Sequence, residues 1–202
     1  MPLRRIILWD LMDTLVNDPF YSHVPRFFEM SFDQLIEAKH PNIWGQFELG
    51  RVDEATLFER FFRDERTFNG QALKRCMIEN CHWVPGMHTL VGELSSRGVE
   101  MHLLSNYSEW YKDYVLRLGI SRLVKPSFVS CETGVRKPAE RAYVNAHRTL
   151  GVRPEDCVFI DDRERNCDAA RLVGMDVVHF TGHADQVREA LASRGFPLAV
   201  AR

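Results

Sequence analysis

No stretch of the sequence reaches the roughly 18 consecutive apolar residues of a membrane span, and the first residues lack the apolar core of a signal peptide. Membrane insertion and export are therefore not expected. Cysteine is scarce: Cys76, Cys81, Cys131, Cys157 and Cys167 are an odd set at irregular spacings, unlike a secreted disulfide framework, and they point to the reducing cytoplasm. No second Cys/His pair completes Cys76, Cys81 and His82 at zinc-finger spacing, so these read as ordinary helix residues. An excess of basic charge is missing too. Twenty-six Lys and Arg against 28 Asp and Glu give a formal charge of -2, so no positive field recruits nucleic acid or an anionic membrane, and a small molecule is the simplest partner. Repeats and low-complexity tracts are absent.

What remains is a chain of 202 residues, 45% hydrophobic and 27% charged, enough for one domain or a domain with a modest insertion. Four short apolar runs, residues 4–9, 100–104, 157–160 and 176–180, read as buried parallel strands, and three of them end abruptly in Asp10, Ser105-Asn106 and Asp161-Asp162. Helical patterns cover residues 86–97, 110–118, 139–150 and 166–173. This alternation predicts an α/β fold with a parallel sheet, whose ligands sit at the carboxyl ends of the strands.

Residues 17–83 break the rhythm with amphipathic helical spacing at Phe28, Phe32, Leu35 and Ile36, then at Leu57, Phe58, Phe61 and Phe62. An insertion of that length is too long for an ordinary connection and reads as an all-helical cap. The expected division is a core of residues 1–16 and 84–202, re-entered at the Pro85-Gly86 turn, with 17–83 as the cap.

Each strand-end residue has a chemical reading and a plain one. Asp10 can be a nucleophile if a cation neutralises the incoming phosphate, or a solvated strand end. Ser105-Asn106 can bond a phosphoryl oxygen or form a turn. Lys137, just before Pro138 at a helix start, can offset charge or be solvated. Asp161-Asp162 offers the hard oxygens Mg²⁺ prefers, or caps a helix. All four in order are hard to obtain by accident.

In these motifs the chain resembles the haloacid dehalogenase superfamily, in its branch with a helical cap inserted after the first strand. "WDLMDTLV" (9–16) is similar to its first motif, "LLSNYS" (103–108) to the second, "GVRKPAERAY" (134–143) to the third and "FIDDRERNCDAARLVGM" (159–175) to the fourth. The resemblance implies a Rossmann-like core, with Asp10 as nucleophile, Thr14 and Ser105 as phosphate-orienting hydroxyls, and Lys137 as charge clamp. It implies Mg²⁺ on Asp10, the Met12 carbonyl and Asp162, with Asp161 direct or through water. Asn106 and Asn166 would order the loops, and Asn106 and Asp13 are candidate substrate-binding residues.

The family pattern has a second aspartate two residues after the nucleophile, protonating the leaving group and later activating water; here Met12 stands there, and a thioether moves no proton. Losing such help slows a reaction by ~10²- to 10⁴-fold. Asp13, in the usual glycine place, is the nearest substitute, but neighbours on an extended segment point to opposite sides, which favours a loop-bonding role beside Thr14. The resemblance also offers dehalogenases, which do without the metal that Asp161-Asp162 implies, and phosphonatases, which need a cap lysine such as Lys39 or Lys74. Arg51 either faces the site or is surface charge. The expectation is a Mg²⁺-dependent hydrolase of a small phosphorylated metabolite acting through an aspartyl-phosphate, slow for want of the usual acid. Its non-enzymatic competitor is a phosphate-ligand-binding pseudoenzyme. Monomer and homodimer stay open.

Overall fold

The computed structural model describes residues 5–198. Strand β1 (Ile6–Trp9) is followed by α1 (His23–Phe27), α2 (Phe32–Ala38), α3 (Ile43–Glu48), α4 (Glu54–Glu59), α5 (Gly70–Glu79) and α6 (Met87–Ser96). Then come β2 (Glu100–Ser105), α7 (Tyr111–Arg117), β3 (Lys125–Val129), α8 (Ser130–Thr133), α9 (Glu140–Leu150), β4 (Cys157–Asp161), α10 (Glu164–Val173), β5 (Asp176–His179) and α11 (Ala184–Ser193). The five strands form one parallel sheet in the order β3-β2-β1-β4-β5.

β1 lies in the middle because all four of its side chains are apolar and wholly buried, so both its faces can be covered by helices. β1 pairs with β2 on one side and with β4 on the other, and the chain, after β2 and β3, crosses back over β1 to begin β4. Trp9 pairs with Leu103 and with Ile160, so the next residue, Asp10, lies level with the ends of both neighbours. Its amide donates to the Ile160 carbonyl at 2.9 Å. Asp10, Ser105 and Asp161 thus meet where the strand order reverses, the place at which an open α/β sheet leaves a crevice.

The four expected strands are present with shifted ends: β2 runs on to Ser105, β4 to Asp161, and β5 stops at His179. Arg4, expected to open the first strand, lies outside the described residues. β3 and the helices α8 and α11 were not expected. β3 hides from pattern reading because it is an edge strand carrying Pro126, buried only at Phe128 and Val129. Helix α10 starts at Glu164, two residues before the expected start.

Between β1 and α6 the chain is helical, with no named strand among the described residues. Where it leaves and returns, two passes are fastened together: Val84 N donates to Leu15 O at 2.9 Å and Asn17 N to His82 O at 3.0 Å. The Asn17 side chain adds Oδ1 accepting from His82 N at 2.6 Å and Nδ2 donating to Asn80 O at 3.0 Å. Inside the insertion, short helices are held by aromatic packing. Phe28 meets Phe61, Phe62 and Phe68 at ring-centroid distances of 5.5, 4.8 and 5.1 Å. Leu35, Leu57, Phe61 and Phe62 are buried as their spacing predicts, whereas Phe32 and Ile36 are exposed at 36% and 43%.

Trp44 and Phe47 of α3 reach the core by packing on Trp110 at 5.8 and 5.3 Å, and Trp110 Nε1 donates to Glu54 Oε2 at 2.6 Å. No helix among the described residues is long and apolar enough to cross a membrane.

Because Phe61 is fully buried among other rings, Phe61→Ala leaves a cavity that these short helices cannot close. The expected loss is about 3–5 kcal/mol, read as a lower urea midpoint.

Candidate active site

The loop after β1 turns tightly, with Leu15 N and Val16 N both donating to Leu11 O at 3.0 Å. Asp13 takes the left-handed conformation, φ 55°, which short polar side chains tolerate better than most. Its Oδ1 accepts from Asp18 N at 2.8 Å. This bond fastens the loop, and Asp13, a candidate substrate-binding residue from the sequence, does not line the cavity described below. Thr14 is fully buried, with Oγ1 lacking a partner.

Lys137 sits at the centre. Its ammonium lies 2.8 Å from Asp10 Oδ1 and 2.6 Å from Asp161 Oδ2, and the residue is 4% exposed. The backbone at Lys137 is held by a reciprocal pair with one side chain: Lys137 N donates to Asn106 Oδ1 at 2.7 Å, and Asn106 Nδ2 donates to Lys137 O at 2.8 Å. Ser105 Oγ donates to Asp10 Oδ1 at 2.9 Å. Both groups engage the same oxygen, so Asp10 Oδ2 has no hydrogen-bond partner among the described residues. Asp161 is held from the other side by Asn166 Nδ2, 3.0 Å from each of its oxygens, and by Arg163 N at 2.8 Å.

Carboxylate oxygens of Asp10, Asp161 and Asp162 lie within 4.8 Å of one another. Burial pushes the Asp10 carboxyl up to about 7; the Lys137 ammonium opposes this, while Asp161 and Asp162 add to it. Asp162 is raised as well, by burial and then by Asp161. Burial alone would lower the Lys137 ammonium, but the two facing carboxylates outweigh it and hold it above its ordinary value. Three carboxylates against the Lys137 ammonium and the Arg163 guanidinium, 4.0 Å from Asp162 Oδ2, still leave negative charge in excess, and the buried Asp162 Oδ1 has no partner. Such a set of hard oxygen donors fits a small divalent cation.

A cavity of about 180 Å³ opens on this cluster. Its wall includes Asp10, Met12, Asn106, Lys137 and Asn166, together with Asp18, Phe20, Tyr21, Trp44, Glu48, Tyr107, Arg136, Arg163 and Arg165. Two contacts cross it from the insertion to the core: Glu48 Oε2 to Arg136 Nη2 at 2.6 Å, and Tyr21 OH accepting from Arg163 Nη2 at 2.8 Å. Glu48 also accepts from Trp44 Nε1 at 3.0 Å; burial raises its carboxyl, and Arg136 opposes the rise.

Sequence reasoning missed the whole second group. Arg136 and Arg163 had a signal, each being the immediate neighbour of a motif residue, but Asp18, Trp44 and Glu48 lie in a segment with no motif. Arg51 does not face the site; it lines a separate groove with Gly50 and Asp53. Lys74 is paired with Glu54 at 3.0 Å and Asp113 at 3.2 Å, and Lys39 donates to His40 O at 3.2 Å; neither lines the cavity.

A family model described as haloacid dehalogenase-like hydrolase matches residues 5–174. The chain belongs to the haloacid dehalogenase-like hydrolases. Among relatives, it is 40% identical over 195 residues to flavin mononucleotide hydrolase 1 of Arabidopsis thaliana, a protein with a chloroplast designation, covering 96% of this chain and 79% of that one. A shorter match, 37% over 71 residues, covers 35% of this chain and 30% of a glyceraldehyde 3-phosphate phosphatase from Methanopyrus kandleri. Among solved structures, a HAD family enzyme of Bacteroides thetaiotaomicron, in complex with magnesium and inorganic phosphate, superposes with a TM-score of 0.72 at 20% identity, covering 88% of this chain and 94% of that one. The chain is thus a hydrolase of this superfamily, with phosphatases among its relatives.

Lys137→Met removes the ammonium and leaves buried Asp10 and Asp161 uncompensated. The expected loss of stability near neutral pH is about 3–5 kcal/mol by urea unfolding. The deficit relative to wild type should shrink as pH falls below about 7 and Asp10 protonates. A deficit independent of pH would contradict this account.

Proposed function

We propose that this hydrolase acts on small phosphate esters with Mg²⁺, through an aspartyl-phosphate on Asp10. The observation that carries the reading is the position of Lys137, which fixes one Asp10 oxygen while the other is without a partner on a cavity wall. Mg²⁺, held by Asp10, Asp162, the Met12 carbonyl and Asp161 direct or through water, would lower the repulsion between the substrate phosphate and the carboxylates.

The protein's own groups do the rest. Lys137 and Ser105 hold Asp10 Oδ1 so that Oδ2 can attack phosphorus. The Thr14 hydroxyl, buried without a partner, and Asn106, on the cavity wall, would orient the phosphoryl group. Residues 17–83 serve as the cap, hinged at the fastened passes around 15–17 and 82–84.

For the leaving group, the flavin mononucleotide relative and the wall of aromatic residues support the same class. Phe20, Tyr21, Trp44 and Tyr107 suit a planar ring. Arg136, Arg163 and Arg165 suit an anionic ester. The five free cysteines favour a reducing compartment such as the cytoplasm.

The test is release of riboflavin and phosphate from flavin mononucleotide. EDTA should abolish it and Mg²⁺ restore it, while Ca²⁺ supports it poorly because its larger, looser shell misplaces the nucleophile. Asp10→Asn should be inactive, and full activity in EDTA or in that variant would overturn the proposal. Independently of turnover, Mg²⁺ should raise the thermal midpoint of wild type and leave that of Asp162→Asn unchanged, since a ligand bound only to the folded state stabilises it.

A further inference from the structure

On the reading that Asp10 is the nucleophile, Met12, a residue of the cavity wall, stands where the proton-carrying carboxyl would be, and its thioether cannot donate. Two other carboxylates outside the metal-binding group share that wall, Asp18 and Glu48. Glu48 is committed to Arg136 and Trp44. Asp18 is not: its Oδ1 accepts from Phe20 N at 2.9 Å, and its Oδ2 has no partner among the described residues.

Asp18 is also fixed in place by the other departure in the first motif. Asp13, standing where the family has glycine, accepts from the Asp18 amide, so the loop carrying Asp18 is anchored to the turn that follows the nucleophile. We propose that Asp18 is the catalytic acid and base of this enzyme, replacing the function missing at Met12 from the entrance of the helical insertion.

In the first half-reaction Asp10 Oδ2 bonds to phosphorus, the phosphorus–oxygen bond to the leaving group breaks, and neutral Asp18 gives its proton to that oxygen, releasing an alcohol. In the second, ionised Asp18 takes a proton from water as the water oxygen bonds to phosphorus. The bond from phosphorus to Asp10 then breaks, returning Asp10 as carboxylate, releasing inorganic phosphate and leaving Asp18 neutral again.

The surroundings suit both states. Burial first, then the negative charge of Asp13 and Glu48, push the Asp18 carboxyl up to about 7, opposed by the bond from Phe20 N and, less, by Arg163. Cys81, Tyr107 and Tyr114 also lie within electrostatic reach; burial first, and then in smaller part the charge on Asp18, raises all three above their ordinary values. A carboxyl titrating near neutral pH can serve as either acid or base there.

Asp18→Asn is the test, because the amide keeps the size and the bond from Phe20 N but exchanges no proton. With p-nitrophenyl phosphate, whose leaving group needs little protonation, the variant should release about one equivalent of nitrophenol per site at close to the wild-type rate, then turn over ~10²- to 10⁴-fold slower. With flavin mononucleotide, whose alkyl leaving group needs the proton, the first turnover should be slow as well. The fall in wild-type kcat/KM as pH rises past about 7 should be missing from the variant.

Asp18→Glu, retaining a carboxyl, should outpace Asp18→Asn; equal loss in both would overturn the assignment. So would wild-type steady turnover of flavin mononucleotide in Asp18→Asn, or loss of the nitrophenol burst together with beryllofluoride binding, which would make Asp18 a structural residue. If wild type itself gave neither phosphorylated Asp10 nor turnover of either ester, the Asp10 reading would fall, and this one with it.

Discussion

One buried ammonium organises the catalytic end of this protein. Lys137 is reached by chain segments far apart in sequence, and its charge makes it possible to bring Asp10 and Asp161 together out of water. Removing charge from solvent is costly unless it is paired and hydrogen-bonded, which explains how fully each member is held. Asn106 grips the lysine backbone from the end of β2, Ser105 donates to Asp10, and Asn166 donates to both oxygens of Asp161 from α10. The parallel sheet supplies the frame for this, since β2, β1 and β4 are neighbours and end at one level.

The pairing is deliberately incomplete. A fully neutral cluster would attract no cation, whereas this one keeps an unpartnered oxygen on Asp10 and another on Asp162 and leaves negative charge in excess. Over it the insertion brings aromatic rings, Asp18 and Glu48, and is tied to the core by Glu48 to Arg136 and Tyr21 to Arg163. Opening the insertion would break these contacts and let water reach the buried carboxylates. The position of the insertion and the electrostatics of Asp10 are therefore linked through the same few residues.

Most of the core was legible from sequence, because a buried parallel strand is an apolar run and its end is marked by a sudden polar residue. Asp10, Ser105 and Asp161 were readable for that reason, and Lys137 for its place before Pro138. β3 was not, since an edge strand with Pro126 and only two buried residues carries no run. The wall contributed by the insertion was also hidden. Asp18 and Glu48 are single acids in helical or loop sequence, and only the folding of the insertion onto Trp110 and Arg136 gives them a role. For Asp13 the sequence offered substrate binding or loop bonding beside Thr14; its left-handed turn and its bond from the Asp18 amide are visible only in three dimensions.

The account rests on a covalent bond between Asp10 and phosphate, and that bond can be caught. Wild-type protein mixed with flavin mononucleotide and Mg²⁺, quenched in acid within a turnover and reduced with borohydride, should carry homoserine at position 10 when its peptides are mapped by mass spectrometry. The account predicts this mark at Asp10 and at no other carboxylate. Steady release of phosphate with Asp10 unmodified, or the mark on a different residue, would contradict it.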